Sequence, residues 1–187
     1  MSDLDGELLQ SVERRNVILA MHGDGAAFRA LVDLYDRRLL YFIRRVLGNS
    51  EDVFDVLQSV WLMVHRNLRK LQSPSAFRVW LYRIAHAQTV SVLRKKSGLP
   101  PVTEDPEQHE VFEEPAHEMA FDNAELVHTA LEALSVDHRR VLTLRFLEDM
   151  DIAEISEVLE CSQGTVKSRL YYAREALRRR IEELEHD

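Results

Sequence analysis

Between Gln163 and Tyr172 the chain reads QGTVKSRLYY, and six of these side chains, those of Gln163, Thr165, Lys167, Ser168, Tyr171 and Tyr172, are amide, hydroxyl, amine or phenol. Such groups in the early turns of a helix suit hydrogen bonding to base edges and phosphate oxygens in a DNA groove. A second set, Arg66, Arg69, Lys70, Arg78, Tyr82, Arg83, His86, Thr89 and Arg94, interleaves cations with an aromatic ring. Cations follow phosphates and rings stack on bases, which is what a single strand of nucleic acid needs. A solvated basic face with cations near a helix C-terminus accounts for the same residues. A third set, Phe54, Asp55, Gln58, Ser59, Leu62 and Met63, mixes apolar and polar groups where a solvated helix favours charge. It reads as a protein-docking face or as a surface covered by another helix of the same bundle.

Helices must hold all three sets. Phe28, Leu31, Val32, Tyr35, Leu39, Phe42, Ile43 and Val46 recur at steps of three and four, after Asp24 as N-cap and before Gly48-Asn49 as a stop. Val53, Val56, Leu57, Val60, Trp61 and Val64 form a second stripe, with the docking set opposite. Ser73-Pro74 caps a third helix whose buried face is Phe77, Leu81, Ile84, Ala85 and Val92. Its other side is expected to expose Arg78, Tyr82, Arg83, His86 and Thr89. Farther on come Val127, Ala130, Leu131 and Leu134, then Ser135 as a cap, then Val141, Leu142 and Phe146. Asp151 to Glu154 reads as a capping box with Asp in the capping place, opening a short helix with Ile155, Val158 and Leu159 inward. After the turn ECSQ, a longer helix carries Val166, Leu170, Ala173, Leu177 and Ile181 as its core stripe. Short helix, turn and longer helix make a helix-turn-helix, which occurs in DNA-binding domains and also as a plain packing unit.

No run alternates with period two, so the expected class is all-α: two small helical domains joined by an acidic flexible linker. The boundaries are a 1–19 extension, a 20–96 bundle, a 97–125 linker and a 126–187 helix-turn-helix domain. Charge divides the same way. The 187 residues carry a net charge of -8, which opposes DNA binding, but the sign is unevenly placed. Residues 20–96 are net +7, residues 97–125 hold 9 acids with no Lys or Arg, and residues 126–187 are net -4. Pro100, Pro101, Pro106 and Pro115 lie among those acids, as in an extended linker.

Several classes fall away. The single cysteine, Cys161, forms no internal disulfide and suits a reducing compartment such as bacterial cytosol. No apolar run approaches the roughly 18 residues of a membrane span, and the start MSDLDGELLQSVERR lacks a signal peptide's pattern, so no membrane insertion is expected. His109-Glu110 and His117-Glu118 do not continue to a zinc-protease motif, and HGDG lacks the strand and third glycine of a nucleotide fingerprint. With scattered histidines and no cysteine pair, neither a metal nor a cofactor is expected, and no enzyme activity.

GNSEDVFDVLQSVW and FRVWLYRIAH in the first half, and EISEVLECSQGTVKSRLYYARE in the second, resemble regions two and four of the extracytoplasmic-function group of bacterial sigma factors. The resemblance runs from about Asp24 to Ile181. It implies a dissociable, non-enzymatic, cytoplasmic subunit that binds the RNA polymerase core, recognises promoter DNA as duplex and as melted single strand, and starts transcription at a specific regulon. An anti-sigma factor stands as an optional further partner. By this resemblance Asp55 and Gln58 match the core-polymerase contact motif. The stretch from Arg66 to Lys96 matches the part that captures the melted minus-ten element, and Arg145, Lys167, Ser168 and Tyr171 match positions that read the minus-thirty-five element. The acidic linker would run through the polymerase's RNA path. Ala87, Ser91 and Tyr172 stand where many members have Asn, Asp and Arg, so promoter sequence does not transfer from relatives. The competing expectation is a helix-turn-helix regulator acting beside the housekeeping sigma factor, with residues 1–96 as a sensing or dimerising domain.

Overall fold

A computed structural model describes residues 2–48, 50–97 and 124–186. Most of the expected linker, and Asn49 of the expected helix stop, lie outside the described residues. The helices are α1 (Ser2–Met21), α2 (Gly25–Leu47), α3 (Val53–Asn67), α4 (Phe77–Ser97), α5 (Ala124–Glu132), α6 (Val136–Leu142), α7 (Ile152–Leu159) and α8 (Gln163–His186). Short 3-10 turns at Leu68–Lys70 and Pro74–Ala76 join α3 to α4, and a π turn at Thr143–Leu147 follows α6. Among the described residues there is no strand, as the all-α reading requires.

The first bundle is α1 to α4. Asp24 caps α2 by accepting from the Ala26 and Ala27 amides at 2.8 and 3.0 Å, and Gly48, at φ 67, closes it by donating to the Arg44 carbonyl. That backbone angle strains any residue bearing a Cβ, which accounts for glycine there. Leu31, Tyr35, Leu39, Phe42, Ile43 and Val46 of α2 are buried against Val56, Val60 and Val64 of α3 and Phe77, Leu81 and Ala85 of α4. Each large apolar side chain among them contributes roughly 1.5–3 kcal/mol of burial. Trp61 sits at the edge with its indole N–H donated to Asp36 at 2.9 Å, so its polar end is satisfied while its ring meets Phe28. The α1 helix packs on α2 through Val17 and Ala20, and Glu13 faces the buried Tyr35 hydroxyl. Its sequence carries no long apolar stripe, and periodicity alone did not show it.

The second bundle is α5 to α8. Asp151 and Glu154 complete both halves of the capping box, at 2.8 and 3.0 Å. Ile155, Val158 and Leu159 of α7 face Val166, Leu170, Ala173, Leu177 and Ile181 of α8, all buried, and a short turn with Glu160 in the left-handed region joins the helices. Phe146, expected in the apolar pattern, is exposed instead. The π turn advances the chain with i to i+5 bonding, which shifts the helical phase so that Leu144 and Met150 fill the core.

The two bundles pack against each other, α7 on α4 and α6 on α2. This corrects the expected exposure of α4. Tyr82 and Thr89 are fully buried and His86 nearly so, whereas Arg83 stays exposed. The polar stripe of α4 is an inner surface here because the second bundle covers it, and an apolar-stripe rule identifies only one of two buried sides.

Candidate nucleic-acid interface

The α8 helix starts after Ser162, whose hydroxyl accepts from the Thr165 amide at 3.0 Å. Gln163, Lys167 and Tyr171 follow at intervals of one turn. Gln163 and Lys167 are exposed and Tyr171 half-buried, while Thr165 and Tyr172 flank them, with Tyr172 exposed and its ring edge-on to Tyr171 at 5.4 Å. Ser168, expected to project, is buried and donates to the Thr165 carbonyl at 3.0 Å. Arg145 lies outside α8 and donates to the Met150 carbonyl at 3.2 Å, pinning the loop before α7. A helix so placed offers one amide, one ammonium and phenols along one side, the chemistry that reads a major groove.

The single-strand set divides. Arg66, Arg69 and Lys70, on the approach to α4, and Arg83 and Arg94, on α4, are exposed. Arg78 is half-buried, donating to both Glu154 oxygens at 2.7 and 2.8 Å and to the Glu148 carbonyl at 3.0 Å. Tyr82 stands edge-on to Phe42 at 5.5 Å with its hydroxyl toward Glu148, and burial pushes its ionisation far up. Burial, then the positive field of Arg140, pushes His86 down to about 4, so the ring is neutral near pH 7. Thr89 donates to the His86 carbonyl at 2.7 Å. The cations before α4, with Arg83 and Arg94 on it, are therefore open to solvent, while Tyr82, His86 and Thr89 between them are covered.

The third set is open. Phe54, Leu62 and Met63 are 61%, 50% and 36% exposed, Asp55 and Gln58 are exposed beside them, and Ser59 is half-buried. Arg44 rests its guanidinium over the Phe54 ring at 5.6 Å. Val53, Val56, Val60 and Val64 hold the opposite face of α3 in the core, so the helix is fixed while its outer face remains apolar.

Models of the sigma-70 family match both halves: "Sigma-70 region 2" over residues 31–98 and "Sigma-70, region 4" over residues 124–177. The RNA polymerase sigma-H factor of Pseudomonas aeruginosa is 33% identical over 188 residues, spanning 95% of this chain and 97% of that protein. The ECF RNA polymerase sigma-E factor of Haemophilus influenzae is 30% identical, spanning 94% and 98%. The chain belongs to the extracytoplasmic-function group of the sigma-70 family.

As a sigma factor it is a transcription-initiation factor, and the region 2 match sets aside the regulator reading, which gave residues 1–96 to sensing or dimerisation. Its fold is shared with CnrH, solved in complex with the cytosolic domain of CnrY, at a TM-score of 0.64 and 22% identity over 94% of this chain and 99% of that one. It is shared also with RpoE of Bartonella quintana, solved with the anti-sigma factor NepR, at 0.63 and 21% over 83% and 96%.

Further residues of the sigma factor join its two regions and escaped the sequence reading. Arg38 meets the buried Glu148 at 2.8 Å, and Arg45 reaches His128 Nδ1 at 2.6 Å and Glu132 at 3.5 Å. The signal available was charge: arginines at 38, 45 and 78 in the basic bundle, and Glu148 just before the Asp151–Glu154 capping box. Nothing in the spacing pairs them, because even Arg78 and Glu154 stand 76 residues apart in the chain.

Proposed function

We propose that this sigma factor docks on the RNA polymerase core through the outward face of α3, captures the melted minus-ten strand with α4 and its approach segment, and reads duplex minus-thirty-five DNA with α8. The exposed Phe54, Leu62 and Met63, ringed by Asp55 and Gln58 on a helix whose other face is locked in the core, carry this reading. Apolar groups of that size supply the buried centre of an interface and the polar ones its register. The docked protein would act in the cytoplasm and catalyse nothing itself. Polymerisation belongs to the core enzyme. Among the described residues no helix is long and apolar enough to cross a membrane, and no metal-binding cluster occurs.

Two weak DNA contacts on one scaffold reach useful affinity through effective concentration, which answers how a chain of net charge -8 works on DNA. An anti-sigma factor is a further partner on this reading, in keeping with the assemblies in which both similar folds were solved. Titration of fluorescent chain with purified core enzyme, followed by permanganate probing of promoter thymines, tests the proposal. Tight binding with reactive thymines near the start site is expected. Failure to bind core would contradict it.

A further inference from the structure

The outer face of α3 is held from both sides. Nine residues separate Phe54 from Met63, which at about 3.6 residues per turn sets them roughly half a turn apart in angle, on opposite flanks of the helix with Asp55, Gln58 and Leu62 between. Phe54 lies on the α2 side, where the Arg44 guanidinium rests over its ring at 5.6 Å. Met63 lies on the α4 side, where the Gln88 amide donates from Nε2 to the thioether sulfur at 3.1 Å. Arg44 is fixed in the last turn of α2, its carbonyl accepting from the Gly48 amide at 2.8 Å. The turn into α3 is tied as well, since Lys96 of α4 donates to Ser50 Oγ at 2.7 Å and pairs with Asp52. Exposed Phe and Met side chains on an unsupported helix sample several rotamers, Met most of all because it has several rotatable bonds. Here each is met by one side chain from a neighbouring helix, and neither support is buried: Arg44 is exposed and Gln88 half-buried.

We propose that Arg44 and Gln88 are positioning residues for core-polymerase docking: they hold Phe54 and Met63 ready for the core enzyme and widen the docking surface from α3 alone to a strip across α2, α3 and α4. The inference rests on the reading of the outward face of α3 as the core-binding face. Ordering a rotamer-rich side chain during association weakens binding by roughly two- to tenfold, and a side chain already ordered escapes that loss. Arg44 does this for Phe54 through the attraction of a cation for the face of an aromatic ring. Gln88 does it for Met63 through a hydrogen bond to sulfur, a weak acceptor, which limits the swing of the thioether without burying it.

Fluorescence titration of the full chain with purified core enzyme tests this in single and double variants. R44A and Q88A should each keep the thermal melt of the wild type, since neither side chain is buried, and weaken binding about fivefold. R44K, which keeps a cation for the Phe54 ring, should restore most of the affinity. The deciding readout is non-additivity. R44A should have no effect in the F54A background, nor Q88A in the M63A background, because a positioning residue acts only through the side chain it holds. In the free chain, the isotope-labelled methyl signal of Met63 should move toward its rotamer-averaged position in Q88A. Full affinity in R44A and Q88A would overturn the proposal, and so would an equal loss with and without Phe54 and Met63. L62E separates this from the docking reading: if it weakens binding while R44A and Q88A do not, only the positioning role falls. If L62E binds core like the wild type, the docking face falls and the positioning role with it.

Discussion

Across the seam between the two regions, the Arg140 guanidinium of α6 lies 3.4 Å from Nδ1 of the buried His86 on α4. A neutral ring fits there and a second cation does not. Burial comes first and Arg140 second in holding His86 down to about 4, from an ordinary value of 6.5. The folded state thus resists a proton that the unfolded chain accepts. Its contribution to stability is full above about pH 6.5 and is lost as pH falls toward about 4, on the order of 3 kcal/mol across that window. Glu148 has the opposite sign: burial raises its pKa, so what it contributes through protonation is present at low pH and fades as pH rises. Urea denaturation at a series of pH values should show the wild type losing stability faster than His86→Gln between about pH 6.5 and about pH 4.5. Parallel curves would remove His86 as the titrating group.

The α3 surface makes a separable prediction. Asp55→Arg or Leu62→Glu should leave the thermal melt within about 0.5 kcal/mol of wild type, since both side chains are exposed, and weaken core-polymerase binding by about 1–3 kcal/mol. A competition assay for core enzyme reads this directly. Full-strength binding by both folded variants would place the interface elsewhere.

Lys167 is exposed on α8, which belongs to the second bundle, whereas α3 belongs to the first. Lys167→Glu should abolish initiation at promoters that need the upstream element and leave holoenzyme assembly near normal. A normal transcript level from such a promoter would show that α8 is not the reading helix.

Asp151 ties α7 to its loop through the Glu154 amide. Asp151→Ala should cost about 1 kcal/mol in thermal or chemical unfolding, the usual loss of an N-cap. A variant as stable as wild type would mean that solvent satisfies the α7 amides equally well.

Much of this molecule was legible as sequence because its helices obey simple periodicity. The buried stripe of α8 and the Asp151–Glu154 capping box stand in the structure as read, and so does the Asp24 cap of α2. What sequence could not show was the packing of one bundle on the other. Tyr82, His86 and Thr89 have the polarity of a solvent face, and only a surface assembled from the far end of the chain makes them interior. Ser168 is buried rather than projecting for a smaller reason: a short hydroxyl can satisfy itself on the preceding turn, here the Thr165 carbonyl, and so be buried at little cost. Phe146 was displaced by a π turn, which no period of 3.6 anticipates.

Whether this chain confers promoter recognition on RNA polymerase is measured by run-off transcription with purified core enzyme on a library of genomic fragments, with and without the protein. Discrete transcripts should start at a small set of sites sharing one sequence pattern, require the protein, and disappear with Lys167→Glu. Core enzyme that gives the same start sites whether or not the chain is present would contradict its role as a sigma factor.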